Sequence, residues 1–247
     1  MMKDGNSIYV GTSGWKYKHW DNNFYPKEIK NTKQLDYYQS KFDTVELNNS
    51  FYREPDAKQF ENWKNAVGAS FLYAVKANRY FTHLKKLKVT QDEISSFLDK
   101  VAHLEEKLGP ILFQLPPSWK INTERLSNFL ELLPKQFKYT FEFRNQSWYS
   151  PEVDELLTKH NAAFCIYELA GHLSPLKVTA DFVYIRLHGP GAKYQGSYTI
   201  EVLEEWAKRC KQWQEEGKTV FIYFDNDQAG YAAFNALQLM ESLKRHR

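Results

Sequence analysis

Eight short apolar runs alternate with stretches whose apolar residues fall at helical spacing, from one end of the chain to the other. A strand buried in a parallel sheet shows as a brief apolar run, and an amphipathic helix repeats its apolar residues every three or four positions. The strand candidates are residues 8–10, 44–48, 71–77, 111–115, 140–144, 163–167, 182–188 and 220–224. Helical stripes lie between them, such as Phe60, Trp63 and Val67, or Ile94, Phe97, Leu98, Val101, Leu104 and Leu108. Helix starts are marked as well: Thr90 and Glu93 form a capping box, and Ser150-Pro151 places a cap before a proline that the first turn tolerates.

Strict strand–helix alternation calls for a parallel sheet clad in helices. With eight strands in 247 residues and no G-x-G-x-x-G after the first, the expected fold is α/β, a TIM-like (β/α)8 barrel. Residues 1–247 are expected to form a single domain. One stretch breaks the rhythm: residues 168–180 contain Gly171 and Pro175 and show no helical stripe, so an irregular connection is expected between strands six and seven.

Successive side chains of a strand point to opposite faces, so Phe141 and Phe143 share one face while Glu142 and Arg144 share the other. The same charged alternation closes other strands: Glu46 and Asn48, Arg186 and His188, Asp225 and Asp227. Such barrels carry their sites at the C-terminal ends of the strands, where these residues fall together with Trp15, Lys76, Gln114 and Asn226. Charged groups on an interior face are costly, and their recurrence at the ends of several strands marks a polar site.

The segments GTSGW, TVELNNSFYREP, VKANRYFTHLKKL, ILFQLPPSW, FEFRNQSWY, VYIRLHG and YFDNDQAGYAAFNALQL, in this order, resemble the YecE-like family, the domain of unknown function 72. The resemblance covers nearly the whole chain and implies a TIM-like barrel; it brings no established activity. Many relatives have two asparagines after the last strand, where this chain has Asp225 before Asn226.

The net charge of +3 is spread without a basic block, which permits an anionic ligand and gives little support to nucleic acid as a partner. Cys165 and Cys210 are the only cysteines, sit inside regular elements and are expected to be buried free thiols. The N-terminal ten residues lack the pattern of a signal peptide, and no apolar run reaches the length of a membrane span. A cytoplasmic protein without membrane partners is the expectation.

The charged set suggests chemistry on a small anionic or polyhydroxylated molecule, by hydrolysis or isomerisation and without a cofactor. Arg144, Arg186 and Lys76 are expected to hold the anion, Glu142 or Glu46 to act as general base, His188 as general acid and Asp225 as its orienting partner. Asn48, Gln114, Asn226 and Asp227 are expected to add polar contacts, and Trp15 and Trp148 aromatic walls, with Trp20, Phe51 and Tyr52 nearby. The glycine-rich segment 189–198 follows strand seven, where barrels often bind phosphate. Glu142→Gln and Arg144→Ala are expected to spare the fold. The alternatives are a noncatalytic module for phosphorylated ligands or nucleic acid, and a metal-dependent phosphoester hydrolase, although no local spacing marks a metal site.

Overall fold

The computed structural model describes residues 7–245, so the expectation of no leader segment rests partly on residues 1–6, which lie outside the described residues. The barrel strands are β1 (Ile8–Thr12), β2 (Thr44–Leu47), β3 (Leu72–Lys76), β4 (Leu108–Leu115), β5 (Tyr139–Phe143), β6 (Ala163–Leu169), β7 (Phe182–Leu187) and β8 (Thr219–Phe224). They pair in parallel in the order β1-β8-β7-β6-β5-β4-β3-β2. A single bridge between Ser13 and Glu46 brings β1 to β2 and nearly closes the ring. At that seam only glycine fits beside β2, because a Cβ on Gly11 would stand 2.3 Å from the carbonyl oxygen of Thr44.

Two apolar regions follow from strand alternation. Outward residues such as Phe113, Phe141, Phe143, Ile185 and Ile222 join the helices in one large core. Inward residues of the lower barrel, among them Ala74, Leu112, Cys165, Phe182, Tyr184, Phe221 and Tyr223, form a second. Moving one inward step toward the C-terminal ends replaces Tyr184 by Arg186, Cys165 by Tyr167, Ala74 by Lys76, Leu112 by Gln114, and Thr140 by Glu142. The barrel is therefore apolar below and ionic above.

The irregular connection has a definite form. β6 runs on to Leu169 and turns back through an antiparallel strand of two residues, His172–Leu173, and the chain then reaches β7 without a helix. One expectation is corrected. The stripe through Leu104 and Leu108 is not one helix: the α-helix Gln91–Val101 gives way to a 3-10 segment, Glu105 takes φ +49°, and Leu108 already opens β4. After β2 the chain makes a helical turn, Asn49–Tyr52. Both cysteines are buried free thiols, and among the described residues no helix is long and apolar enough to cross a membrane.

Candidate functional site

Arg186 is the hub of the upper barrel. Its guanidinium donates through Nε and Nη2 to Glu46, at 2.9 Å to Oε2 and 2.7 Å to Oε1, and through Nη1 to Glu142 Oε2 at 2.8 Å. Longer bonds reach His188 Nε2 at 3.3 Å and Asp225 Oδ2 at 3.4 Å, so every nitrogen of the fork is engaged. Glu46 also accepts from Ser13 Oγ at 2.7 Å and from the Tyr184 hydroxyl at 2.6 Å. Arg186, Glu46 and Glu142 are fully buried, and the bidentate geometry offsets the cost of removing three charges from water.

Glu142 receives Arg144 Nε on its other oxygen, and the Cys165 thiol lies 3.8 Å from Oε2. Burial would raise its carboxyl pKa, but Arg144 and Arg186 hold it well below the usual carboxylate range. Cys165 is shifted upward by burial and by Glu142, which leaves it a neutral thiol.

His188 lies between the arginines and Asp225. Arginine cannot accept a hydrogen bond, so Nε2, 2.9 Å from Arg144 Nη2, must be the acceptor, and Nδ1 carries the proton toward Asp225 Oδ2 at 2.9 Å. Burial and the neighbouring Arg186 lower its pKa to about 4 despite Asp225. In this arrangement His188 directs its N–H at Asp225 and serves Arg144 as an acceptor that orients the guanidinium. Asp225 itself is lowered: burial opposes this, but the bond from His188 and the nearby Arg186 prevail.

Glu142 is held by two guanidiniums, and Glu46 by Arg186 together with the Ser13 and Tyr184 hydroxyls, an arrangement suited to holding the site together. Glu142→Gln is not expected to be silent for the fold, because it removes a charge that two buried guanidiniums share.

Three groups retain unused capacity. Lys76 is 8% exposed, yet among the described residues its Nζ makes no hydrogen bond or ion pair; it rests 4.2 Å from the centre of the Phe51 ring. Burial and Arg186 lower its pKa to about 8, against the pull of Glu142, Glu46 and Asp225. Arg144 stacks 4.7 Å over the Tyr167 ring and uses Nε and Nη2, while its Nη1 has no hydrogen bond among the described residues. Asp225 is 16% exposed and uses only Oδ2. None of these atoms is among the fully buried polar atoms that lack a partner, so all three touch open space. Gln114, in register with Glu142 on the neighbouring strand, is half-buried and unbonded among the described residues.

The rim is uneven. Tyr194 adopts φ +62° and sets its ring edge-on to His188, 5.4 Å between centres, while its amide returns to the His188 carbonyl at 2.8 Å. Gly189 permits this fold-back: its φ is +112°, and a Cβ there would meet the Gln195 carbonyl oxygen at 2.2 Å. On the β8–β1 side, Asp227 accepts from Trp20 Nε1 at 2.6 Å and pairs with His19 at 2.9 Å. Burial raises its carboxyl pKa to about 6. Asn48 stands at the end of β2 with a buried, unpartnered Oδ1.

Several expected residues lie elsewhere. Trp148 is fully buried outside the barrel, stacked on Phe143 and bonded to the Trp119 carbonyl at 2.7 Å. Trp15 packs against Trp63 and Tyr73, and Asn226 ties the Gly196 carbonyl to Asn235. Trp20 is buried, whereas Tyr52 is exposed. His83 packs edge-on to Phe51. Sequence reasoning missed Ser13, Tyr167, Tyr184 and Tyr194. The first three could have been found by parity, since Tyr184 stands two residues before Arg186 and Tyr167 two after Cys165 on inward faces.

Among the described residues no group of three or more His, Cys, Asp or Glu side chains is placed to hold a metal ion. A cavity of about 270 Å³, lined by Ser7, Tyr9, Asp43 and Lys244 among others, opens at the opposite, N-terminal end, away from the ionic layer.

Residues 9–247 match the sequence profile described as "Protein of unknown function DUF72". The chain is 28% identical over 270 residues to the UPF0759 protein YunF of Bacillus subtilis, covering 96% of this chain and 94% of that one. It is 24% identical to the UPF0759 protein YecE of Escherichia coli K12, over 60% of this chain and 52% of that one. The crystal structure of a DUF72 family protein from Thermotoga maritima superposes with a TM-score of 0.87 at 28% identity, covering 96% of this chain and 99% of that one.

Proposed function

Starting from the fact that the chain belongs to the DUF72 family, we propose that it is an enzyme whose C-terminal barrel mouth takes a small anionic or polyhydroxylated molecule and transforms it by acid–base chemistry, by hydrolysis or isomerisation. The observation that carries this reading is the pair of cations with unused donors. Among the described residues Lys76 Nζ and Arg144 Nη1 touch open space without a partner, whereas Arg186 is satisfied on all sides. Unpaired cationic donors in a largely buried setting favour a carboxylate or phosphate that completes them.

In this reading Glu46, Arg186, Glu142 and His188 form a rigid ionic floor that holds Arg144 in place. Such preorganisation makes donors effective at the moment charge develops on a substrate. Asp225 Oδ1 is the carboxylate oxygen free to take a proton from a bound molecule, while its Oδ2 stays on His188. Gln114 adds a neutral amide suited to a hydroxyl.

The test is a panel of small carboxylates, sugar phosphates and polyols screened by thermal shift and product analysis on wild type, Arg144→Gln and Asp225→Asn. The expected outcome is a ligand that stabilises wild type, loses its effect in Arg144→Gln, and binds Asp225→Asn without turnover. Unchanged turnover in both variants refutes the reading.

A further inference from the structure

We propose that Lys76 is an imine-forming nucleophile, so that the substrate is a small aldehyde or ketone whose anionic or hydroxylated end lies on Arg144 and Gln114. This deepens the function proposed above and rests on it. Three features of the structure support it.

The first is placement. Lys76 is the last residue of β3 and faces inward, one step above the apolar layer that contains Ala74. Its carbonyl accepts from Ser50 Oγ at 2.6 Å, which fixes the strand end. The ammonium lies against the Phe51 face and has no acid within ion-pair distance among the described residues. Lys64, Lys100, Lys107 and Lys177, all partly or fully buried, each have an acidic partner, and partly buried Lys218 reaches the Ala180 carbonyl, whereas Lys76 Nζ has neither a hydrogen bond nor an ion pair among the described residues.

The second is protonation. With its pKa lowered to about 8, a useful fraction of the amine is uncharged near neutral pH, whereas an exposed lysine is almost wholly ammonium. Desolvation beside an aromatic ring and a second cation is an established way to activate an amine toward carbonyls.

The third is the surrounding charge. The product of condensation is a cationic iminium, and Glu142, Glu46 and Asp225 all act favourably on a positive charge at Nζ. In the step itself the Nζ lone pair forms a C–N bond to the carbonyl carbon and the C–O bond breaks. Starting from the ammonium, two of its three protons leave with the oxygen as water, and one stays on the iminium nitrogen, so charge and atoms balance. The iminium then draws electrons from an adjacent C–H or C–C bond, with Asp225 Oδ1 as the available proton acceptor. An isomerisation or a carbon–carbon cleavage follows from this chemistry more naturally than simple hydrolysis.

The experiment treats the full-length protein with glyoxylate or with glycolaldehyde in the presence of cyanoborohydride, which reduces an imine to a stable secondary amine, and maps adducts by peptide mass spectrometry. The expected result is an adduct at Lys76 that forms roughly tenfold or more faster than the adducts at exposed Lys33 and Lys159, because its lowered pKa leaves more free base than an ordinary ammonium carries. The adduct disappears in Lys76→Met, which is expected to fold, and the surface adducts persist. Labelling of surface lysines with Lys76 unmodified overturns the proposal. If Lys76 is unmodified while anion stabilisation still depends on Arg144, only the imine step falls. If both fail, the reading of the mouth as a ligand site falls with it.

Discussion

Replacing Lys76 by methionine is expected to stabilise the protein, an unusual outcome for removing a charge from a candidate site. The ammonium is nearly buried with no hydrogen-bond or ion-pair partner among the described residues, and its pKa falls from 10.5 to about 8. Each pH unit by which a pKa moves corresponds to about 1.4 kcal/mol, so keeping the proton inside the barrel costs about 3 kcal/mol relative to the unfolded chain. Methionine is similar in volume and needs no hydrogen bond, so the variant should gain roughly 2–3 kcal/mol at neutral pH. The sign with pH follows from proton counts. Below about pH 8 both states of wild type hold the proton and the full cost is present. Between about pH 8 and 10.5 the unfolded chain holds a proton that the folded chain has released, so wild-type stability rises with pH. The advantage of Lys76→Met should therefore be largest near neutrality and fade toward pH 10.5. Urea unfolding of both proteins across this range measures the difference directly. A variant less stable than wild type at neutral pH, or a gap that does not narrow as pH rises, refutes the picture of an unpaired, desolvated ammonium.

The ionic floor makes the opposite prediction: Arg186→Met leaves Glu46 and Glu142 buried without their main partner and should cost about 3–5 kcal/mol in chemical denaturation; a loss below about 1 kcal/mol contradicts the assigned pairing. Because the His188 pKa is lowered to about 4, the unfolded chain binds the extra proton first as pH falls below about 6.5, and wild-type stability should decline across that window. His188→Asn should flatten this part of the profile while leaving the further loss at lower pH that comes from Glu142 and Asp225, whose lowered pKa values contribute stability only while they stay ionised; an identical acid profile in wild type and variant counts against the neutral imidazole. Gly11→Ala at the β1–β2 seam forces a methyl against the Thr44 carbonyl and should cost about 1–3 kcal/mol, measured by thermal unfolding; a neutral substitution would mean that the seam is looser than the structure has it.

Strand parity made much of the site legible in advance. Glu142 and Arg144 alternate with Phe141 and Phe143, and the structure puts the first pair inside the barrel and the second against the helices. The same holds for Glu46, Arg186 and Asp225. What parity could not supply was pairing across the barrel, because Arg186 meets Glu46 at a separation of 140 residues, and that contact decides which cations remain unused. The strand-end charges Arg144, Arg186 and Lys76 look alike in sequence; only the three-dimensional bonding separates a saturated arginine from a lysine with no partner among the described residues.

The aromatic residues were misplaced for a related reason. Trp148 follows β5 closely enough to look like part of the mouth, but the 3-10 turn Gln146–Trp148 swings its ring back beneath the strand end onto Phe143 and Trp119. Asn226 is diverted in the same way, into a hydrogen-bonded clasp with Asn235 on the final helix. Side-chain direction in such turns depends on the local φ/ψ path, on which strand periodicity carries no information. Tyrosines posed the converse difficulty: Tyr184 and Tyr167 fit an apolar strand pattern, while the hydroxyl of one and the ring face of the other serve the ionic layer.

The most direct test of a ligand site built on Lys76 and Arg144 is the anomalous difference map of a crystal soaked in selenate, a carrier of the charge and shape expected of the bound group. The account predicts a peak within hydrogen-bond distance of both Lys76 Nζ and Arg144 Nη1, at the C-terminal mouth of the barrel. Selenate found only at exposed surface lysines, with the mouth empty at saturating soak, would contradict it.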